Sequence, residues 1–335
     1  MKYGFAIIPH WPVSDVVELI QLGEDLGYDH AWMTDQTFFE DPFVTLSVAG
    51  QKTESINLGV GVTNPYTRLP SSVARAIGTM GNLMERPVAL GIGAGNRREL
   101  IKPLGMEQSG TVSRMREMAL LVRSLLKGEN VNFESQYNTL KDVQLKFKPE
   151  QSAPIYLAGR GPKTLELGGT VADGVIIGDL ISDSGLDYAI QRIETGRKKE
   201  NRSEDAIERV VWVATFVTDG YDPEIVDGLR PWVAHHMAAS PSVVQKALGM
   251  SDAKIKEIRE AYASGGATEA GKHVTDAEVD TLALVGPPDK ILASLERFEK
   301  RRIGQFVFLL YSKSLQENRD TLKRFAREVM ERARK

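Results

Sequence analysis

The chain of 335 residues contains no cysteine. That absence excludes disulfide staples, thiolate nucleophiles, iron–sulfur clusters and Cys-ligated zinc, and makes a reducing compartment the expected home. No stretch approaches the ~20 uninterrupted apolar residues of a membrane helix, and the apolar run in Met1–Pro9 is too short for the core of a signal peptide. An excess of one charge is also missing. The 42 Lys and Arg residues face 45 Asp and Glu residues, for a net charge of −3, and they are scattered without a basic stripe that could neutralise phosphates. A cytoplasmic protein with a small-molecule substrate, and with neither nucleic acid nor membrane as partner, is expected. Histidine is scarce, at five residues. No HExxH spacing occurs, and the adjacent His235 and His236 cannot both face one metal from neighbouring helical positions, so no metal site is expected.

What is present is enough apolar sequence for a large core, 42% of the chain, arranged in a repeating rhythm. Short β-branched and aliphatic runs bounded by Gly, Pro or Asp alternate with amphipathic stretches, the pattern of βα units around a buried parallel sheet. Eight candidate strands follow: Tyr3–Ile8, His30–Met33, Asn57–Thr63, Val88–Ile92, Ile155–Ala158, Gly174–Ile177, Val210–Val217 and Gln305–Leu310. Helical periodicity covers Ser14–Leu26, Phe43–Thr53, Ser71–Leu83, Thr111–Leu126, Pro162–Thr170, Asp187–Lys199 and Asn318–Arg334. The expected fold is therefore α/β, a single (β/α)8 TIM barrel spanning 1–335 as one domain. Two segments interrupt it. Residues 129–150 read as a strand-like excursion. Residues 219–280, containing Pro231–Ala239, Ser251–Ala263 and the loop Ser264-Gly265-Gly266, read as an insertion over one barrel mouth, a lid or dimer element.

In such a barrel the interior is filled by side chains, so binding groups converge at the loops leaving the carboxyl ends of the strands. Three of these ends are rich in glycine. Gly91-Ile92-Gly93-Ala94-Gly95 removes side chains from one face of a strand end, which would let a flat ring approach the backbone; tight packing at a barrel corner is the alternative. Gly159-Arg160-Gly161-Pro162 ends a strand and opens a helix, a place where free N–H groups and an Arg hold phosphate; a plain βα turn with a solvated Arg is the alternative. Asp35 offers a rim carboxylate for a ring N–H or a hydroxyl, or else caps a helix. His10 can polarise a substrate, or simply bond backbone beside Trp11. Gly266–Lys272 imitates a phosphate-binding P-loop, but His273 stands where Ser or Thr is required and no strand precedes it. The glycines at 91, 93 and 95 lack the further glycine of a Rossmann fingerprint.

Three segments, Leu58-Gly59-Val60-Gly61-Val62-Thr63-Asn64-Pro65-Tyr66, Leu90–Gly95 followed by Leu104-Gly105-Met106-Glu107, and Pro154–Gly159, resemble the luciferase-like superfamily of flavin and deazaflavin oxidoreductases. Within it the chain resembles most the methylenetetrahydromethanopterin reductases that use coenzyme F420, over nearly its whole length. The resemblance implies a deazaflavin held at the carboxyl rim, with a bulge at Gly61-Val62 carrying a non-prolyl cis peptide behind the ring. It implies that Asp35, Thr63, Gly93, Ala94, Gly95 and Asn96 line the head group, and that Gly159, Arg160 and Gly161 hold the phosphate of the tail. Gly61, Val62, Asn64 and Ala158 complete the cofactor-binding set, and a homodimer is implied as well. Against the family pattern, Ala6 stands where the reductases carry Glu, Gln36 where many members carry His, and Asn96 where sugar-phosphate dehydrogenases carry Glu. The usual proton donors are thus absent, which leaves His10 and Asn96 as catalytic candidates. Hydride transfer between F420 and a small substrate is the expected activity. An FMN-dependent monooxygenase and a cofactor-free binding protein on the same barrel are the alternatives.

Overall fold

Eight parallel strands close on themselves because each carries apolar side chains on both faces, one set for the barrel interior and one for the surrounding helices. The computed structural model describes residues 1–96 and 101–335. In chain order the strands are β1 (Lys2–Ile7), β2 (His30–Met33), β3 (Asn57–Thr63), β4 (Val88–Ile92), β5 (Val131–Glu134), β6 (Thr139–Val143), β7 (Ile155–Gly159), β8 (Gly174–Gly178), β9 (Glu208–Val217), β10 (Ala283–Gly286) and β11 (Gln305–Leu310). The barrel runs β11-β1-β2-β3-β4-β7-β8-β9, and β9 closes it by pairing with both β8 and β11. All eight sequence-predicted staves are present. β5 and β6 form an antiparallel hairpin in the predicted 129–150 excursion.

The helices are α1 (Val13–Asp25), α2 (Pro42–Gly50), α3 (Pro70–Met84), α4 (Thr111–Leu126), α5 (Pro162–Val171), α6 (Asp183–Lys199), α7 (Pro223–Ala239), α8 (Ser242–Ala247), α9 (Asp252–Gly271), α10 (Asp276–Val279), α11 (Pro288–Lys300) and α12 (Leu315–Phe325). Proline marks the first turn of several, where its missing N–H has no intrahelical partner to lose. Asp41 and Asp222 cap α2 and α7 by accepting first-turn N–H groups.

Three local expectations are corrected. Ser14 does not start α1: the helix begins at Val13 after Pro12, and the Ser14 hydroxyl bonds Asp15 instead. Pro231 lies inside α7 and does not open a helix, because Asp222 and Pro223 supply a stronger start eight residues earlier. Residues 281–304, which periodicity left without an element, form β10 and α11. β10 pairs with the outer half of β9, Ala283 with Ala214 through Gly286 with Val217. A four-residue apolar run carries no period of its own, which is why it escaped the reading. Gly265 and Gly266 leave helical geometry and kink α9, with Gly266 at φ +70°, at the place where a loop was expected.

The barrel interior is a compact aromatic plug. Trp32, Tyr156 and Trp212 meet there, with Trp32 edge-on to Tyr156 at 5.3 Å and tilted to Trp212 at 5.8 Å. Ala6, Ala89, Ile176, Val210 and Val307 fill the rest. Gly59 makes room for this plug, since a Cβ there would lie 2.5 Å from the Trp32 ring.

Candidate active site

Above the plug, at the carboxyl ends of the strands, lies a cavity of about 410 Å³, within the usual size range of small-molecule sites. Of the sequence-predicted residues, Asp35, Gly61, Val62, Asn64, Gly95, Asn96 and Ala158 line it. The Gly61–Val62 peptide is cis, and the β3–β4 register slips between Val60 and Thr63, so the bulge implied by the resemblance is present.

Gly91 and Gly93 do not themselves open space for a flat ring. A Cβ on Gly91 would lie 2.7 Å from Val62 Cγ1, and one on Gly93 would lie 2.4 Å from Val62 Cγ2. These glycines therefore clear space for Val62, which the bulge turns over β4, and it is Val62 that faces the cavity. Gly93 itself is buried. Gly61 has its own reason to lack a side chain, since a Cβ would lie 2.6 Å from the Trp212 ring. At the third rim a Cβ on Gly159 would strike Thr164 at 2.6 Å, whereas Gly161 has open space beside it.

The remaining predicted residues sit around the cavity and do not line it. Thr63 is fully buried and donates its hydroxyl to Asp35 Oδ2 at 2.7 Å. The same carboxylate takes two bonds from Arg68, Nε to Oδ2 at 2.7 Å and Nη2 to Oδ1 at 3.1 Å, and Arg68 also holds Asp41 at 2.7 Å. Asp35 is thus an ion-paired rim carboxylate, and the helix cap is Asp41. The Ala94 and Gly95 carbonyls accept from Gln108 Nε2, which fixes the loop that carries Asn96. Asn64 spends its side chain on its own turn, accepting from the N–H groups of Tyr66 and Thr67. His10 is exposed and packs edge-on against Trp11 and Phe39; it is not brought to the cavity. Arg160 turns its guanidinium toward His236 and Asp179.

Sequence reasoning missed several residues that line the cavity. Thr34 lines it with a buried hydroxyl that has no hydrogen-bond partner. Trp232 and His236 reach it from α7, within the 219–280 insertion. Asp179 follows β8 and Tyr311 follows β11. Both stand at strand ends and could have been singled out on that ground, whereas His236, on a distant helix, left no such signal. Burial pushes the Asp179 carboxyl up to about 6 against the opposing pull of Arg160. Burial and the charge of Asp179 push the Tyr311 phenol far up, so it stays protonated. Among the described residues, no cluster of His, Cys, Asp and Glu could hold a metal ion, and no helix is long and apolar enough to cross a membrane.

A closed (β/α)8 barrel whose carboxyl rim opens on an aromatic-walled cavity, floored by a bulged strand and bordered by α7, has the architecture of a barrel enzyme. The chain belongs to the luciferase-like monooxygenase family, which it matches over residues 5–305. It is 31% identical over 311 residues to the 5,10-methylenetetrahydromethanopterin reductase of Archaeoglobus fulgidus, covering 92% of each chain. It is likewise 31% identical over 309 residues to the enzyme of that name from Methanolobus tindarius, covering 92% of this chain and 93% of the other. Among solved structures, the coenzyme F420-dependent tetrahydromethanopterin reductase of Methanopyrus kandleri superposes with a TM-score of 0.84 over 99% of both chains at 23% identity.

Proposed function

We propose that the protein is a coenzyme F420-dependent oxidoreductase that moves a hydride between the deazaflavin and a small substrate of the methylene-tetrahydropterin class. The observation that carries the reading is the Val62-bearing bulge, seated over Gly91 and Gly93 as the floor of the cavity. A flat redox ring suits such a floor, which is apolar and fixed by close packing. The donor set fits as well. The unpartnered Thr34 hydroxyl and the backbone of Gly95 and Asn96 would hold the ring's polar edge. α5 begins at Pro162 without a side-chain cap, so its first-turn N–H groups, with the spare N–H groups of Arg160 and the open space beside Gly161, suit the phosphate of the tail. When bound, the deazaflavin supplies two electrons as hydride; Asp35, neutralised by Arg68, keeps the rim from presenting a bare negative charge to it.

Titrating F420 with the purified protein is expected to quench the cofactor's fluorescence at micromolar concentration, and reduced F420 is expected to be consumed with methylenetetrahydromethanopterin. Absence of quenching would remove the reading. Copurifying FMN together with oxygen consumption would replace it with the flavin monooxygenase of the same family.

A cytoplasmic location is inferred from the absence of cysteine. A homodimer is inferred from an apolar surface around α2, where Val44 and Val48, one turn apart, are 62% and 42% exposed beside Phe38 and Phe39. Sedimentation as a monomer at micromolar protein would sink that part alone.

A further inference from the structure

Two ionisable side chains meet in the cavity from distant parts of the chain. Asp179 follows β8, and His236 sits near the end of α7; His236 Nδ1 lies 3.7 Å from Asp179 Oδ2. Arg160 stands between them, with Nη1 2.5 Å from His236 Nδ1 and 3.9 Å from Asp179 Oδ2. A guanidinium offers only N–H donors, so His236 Nδ1 must accept. The imidazole is therefore neutral, with its single N–H on Nε2. Burial, Arg160 and His235 hold its pKa well below the ordinary value, and the Trp232 ring packs on it at 4.2 Å between centroids.

Asp179 is the opposite case. Arg160 and His236 approach its carboxyl only beyond hydrogen-bond reach, and the Tyr311 phenol adds no positive charge. Of the two carboxyl groups that line the cavity among the described residues, Asp35 is held in its ion pair with Arg68, whereas Asp179 has no counter-ion within hydrogen-bond reach and is pushed up to about 6 by burial. Its backbone is left-handed at φ +59°, held by its N–H donating to the Trp212 carbonyl at 2.9 Å.

We propose that Asp179 is the proton-transferring group of this cavity, and that His236, fixed by Arg160 as a neutral Nε2–H donor, holds the reacting heteroatom of the substrate. The proposal rests on the F420 reading above and supplies the acid that Ala6, Gln36 and Asn96 do not. In the reductive direction, hydride from the reduced deazaflavin forms a new C–H bond at the methylene carbon, and the carbon–nitrogen bond breaks with its electron pair going to nitrogen. Asp179 gives that nitrogen its proton and is left as carboxylate, which water reprotonates. In reverse the carboxylate removes the N–H proton as the C–N bond re-forms and hydride leaves carbon for the oxidised deazaflavin.

The test uses the full chain carrying 13C-labelled aspartate carboxyls, read by NMR without cofactor. The resonance lost in Asp179→Asn, a substitution the left-handed backbone tolerates, is expected to titrate near pH 6, and a midpoint near the ordinary carboxylate value of about 4 overturns the proposal. With reduced F420 and methylenetetrahydromethanopterin, Asp179→Asn is expected to lower turnover about 100-fold and to abolish the decline of wild-type turnover above pH 6. Wild-type turnover and pH profile in this variant overturn the proposal. His236→Gln, which keeps an N–H near the Nε2 position, is expected to retain turnover within about tenfold of wild type, and His236→Ala to lose more; equal losses overturn the role of His236. F420 quenching by the wild-type chain is measured in the same series, so that failure of the cofactor reading is seen separately from failure of the acid.

Discussion

The two ends of the barrel carry cavities of the same size, about 410 Å³ each, and differ in how their polar groups are satisfied. At the amino end Lys2 pairs with Glu208 at 2.9 Å, the Tyr156 hydroxyl donates to Glu208 at 2.6 Å, and Arg302 pairs with Glu204 at 2.5 Å. These charges are matched, with Lys2, Arg302 and Glu204 about half exposed. At the carboxyl end the walls are aromatic and aliphatic, Thr34 keeps an unpartnered hydroxyl, and Asp179 has no hydrogen-bonded counter-ion. Volume therefore does not separate the two ends, and neither does polar satisfaction alone, since the buried His30 and Gln305 near the amino end also keep unpartnered atoms; the apolar wall and the buried Asp179 carboxyl of the carboxyl end do.

The difference between the two ends is measurable. The largest effect is expected from Arg68→Met, which leaves the buried Asp35 carboxylate unpaired and should cost about 3 kcal/mol in denaturant unfolding; a loss below 1 kcal/mol would show that the carboxyl rim tolerates bare charge. Gly93→Ala is next. Its Cβ collides with Val62, and overpacking should cost about 2 kcal/mol and weaken F420 quenching. The double variant Val62→Ala/Gly93→Ala should regain most of the stability, because the added methyl then has room; additive losses would refute the supporting role assigned to the glycine.

The two ends should also respond to pH in opposite directions. At the start of β2, His30 is pushed down to about 4, first by burial. Its neutral form therefore contributes stability that is full above pH 6.5 and lost as pH falls toward 4, and His30→Gln should flatten the acid side of the melting profile. Asp179, held near 6, contributes stability that is full below pH 4 and lost as pH rises through 6, so Asp179→Asn should gain in relative melting temperature at pH 8. The smallest effect belongs to Lys2→Met at the amino end. Its Lys side chain is half exposed, and loss of the pair should cost under about 1 kcal/mol with F420 quenching unchanged.

Much of the frame was legible because buried parallel strands cannot disguise their composition. Val210–Val217, broken only by Thr215, and Phe306–Leu310 declare themselves by their apolar runs, and Pro162 declares a helix start. β10 was not legible: four apolar residues have no periodicity, and only pairing with the outer half of β9 makes them a strand. Of the residues at strand ends, the sequence singled out Asp35, Gly61, Val62, Gly95 and Asn96, which line the cavity, and passed over Asp179 and Tyr311, which line it as well.

The sequence by itself determined the class of fold, the rim on which binding groups gather and the segments that carry the family resemblance, because period, composition and glycine placement are local properties of the chain. Only the tertiary structure decided that Gly91 and Gly93 yield their space to Val62, that Arg68 neutralises Asp35, and that His236 crosses from an inserted helix to meet Arg160 and Asp179. Each of these depends on which side chain fills a given volume or shares a given proton, and packing between residues far apart in sequence settles that.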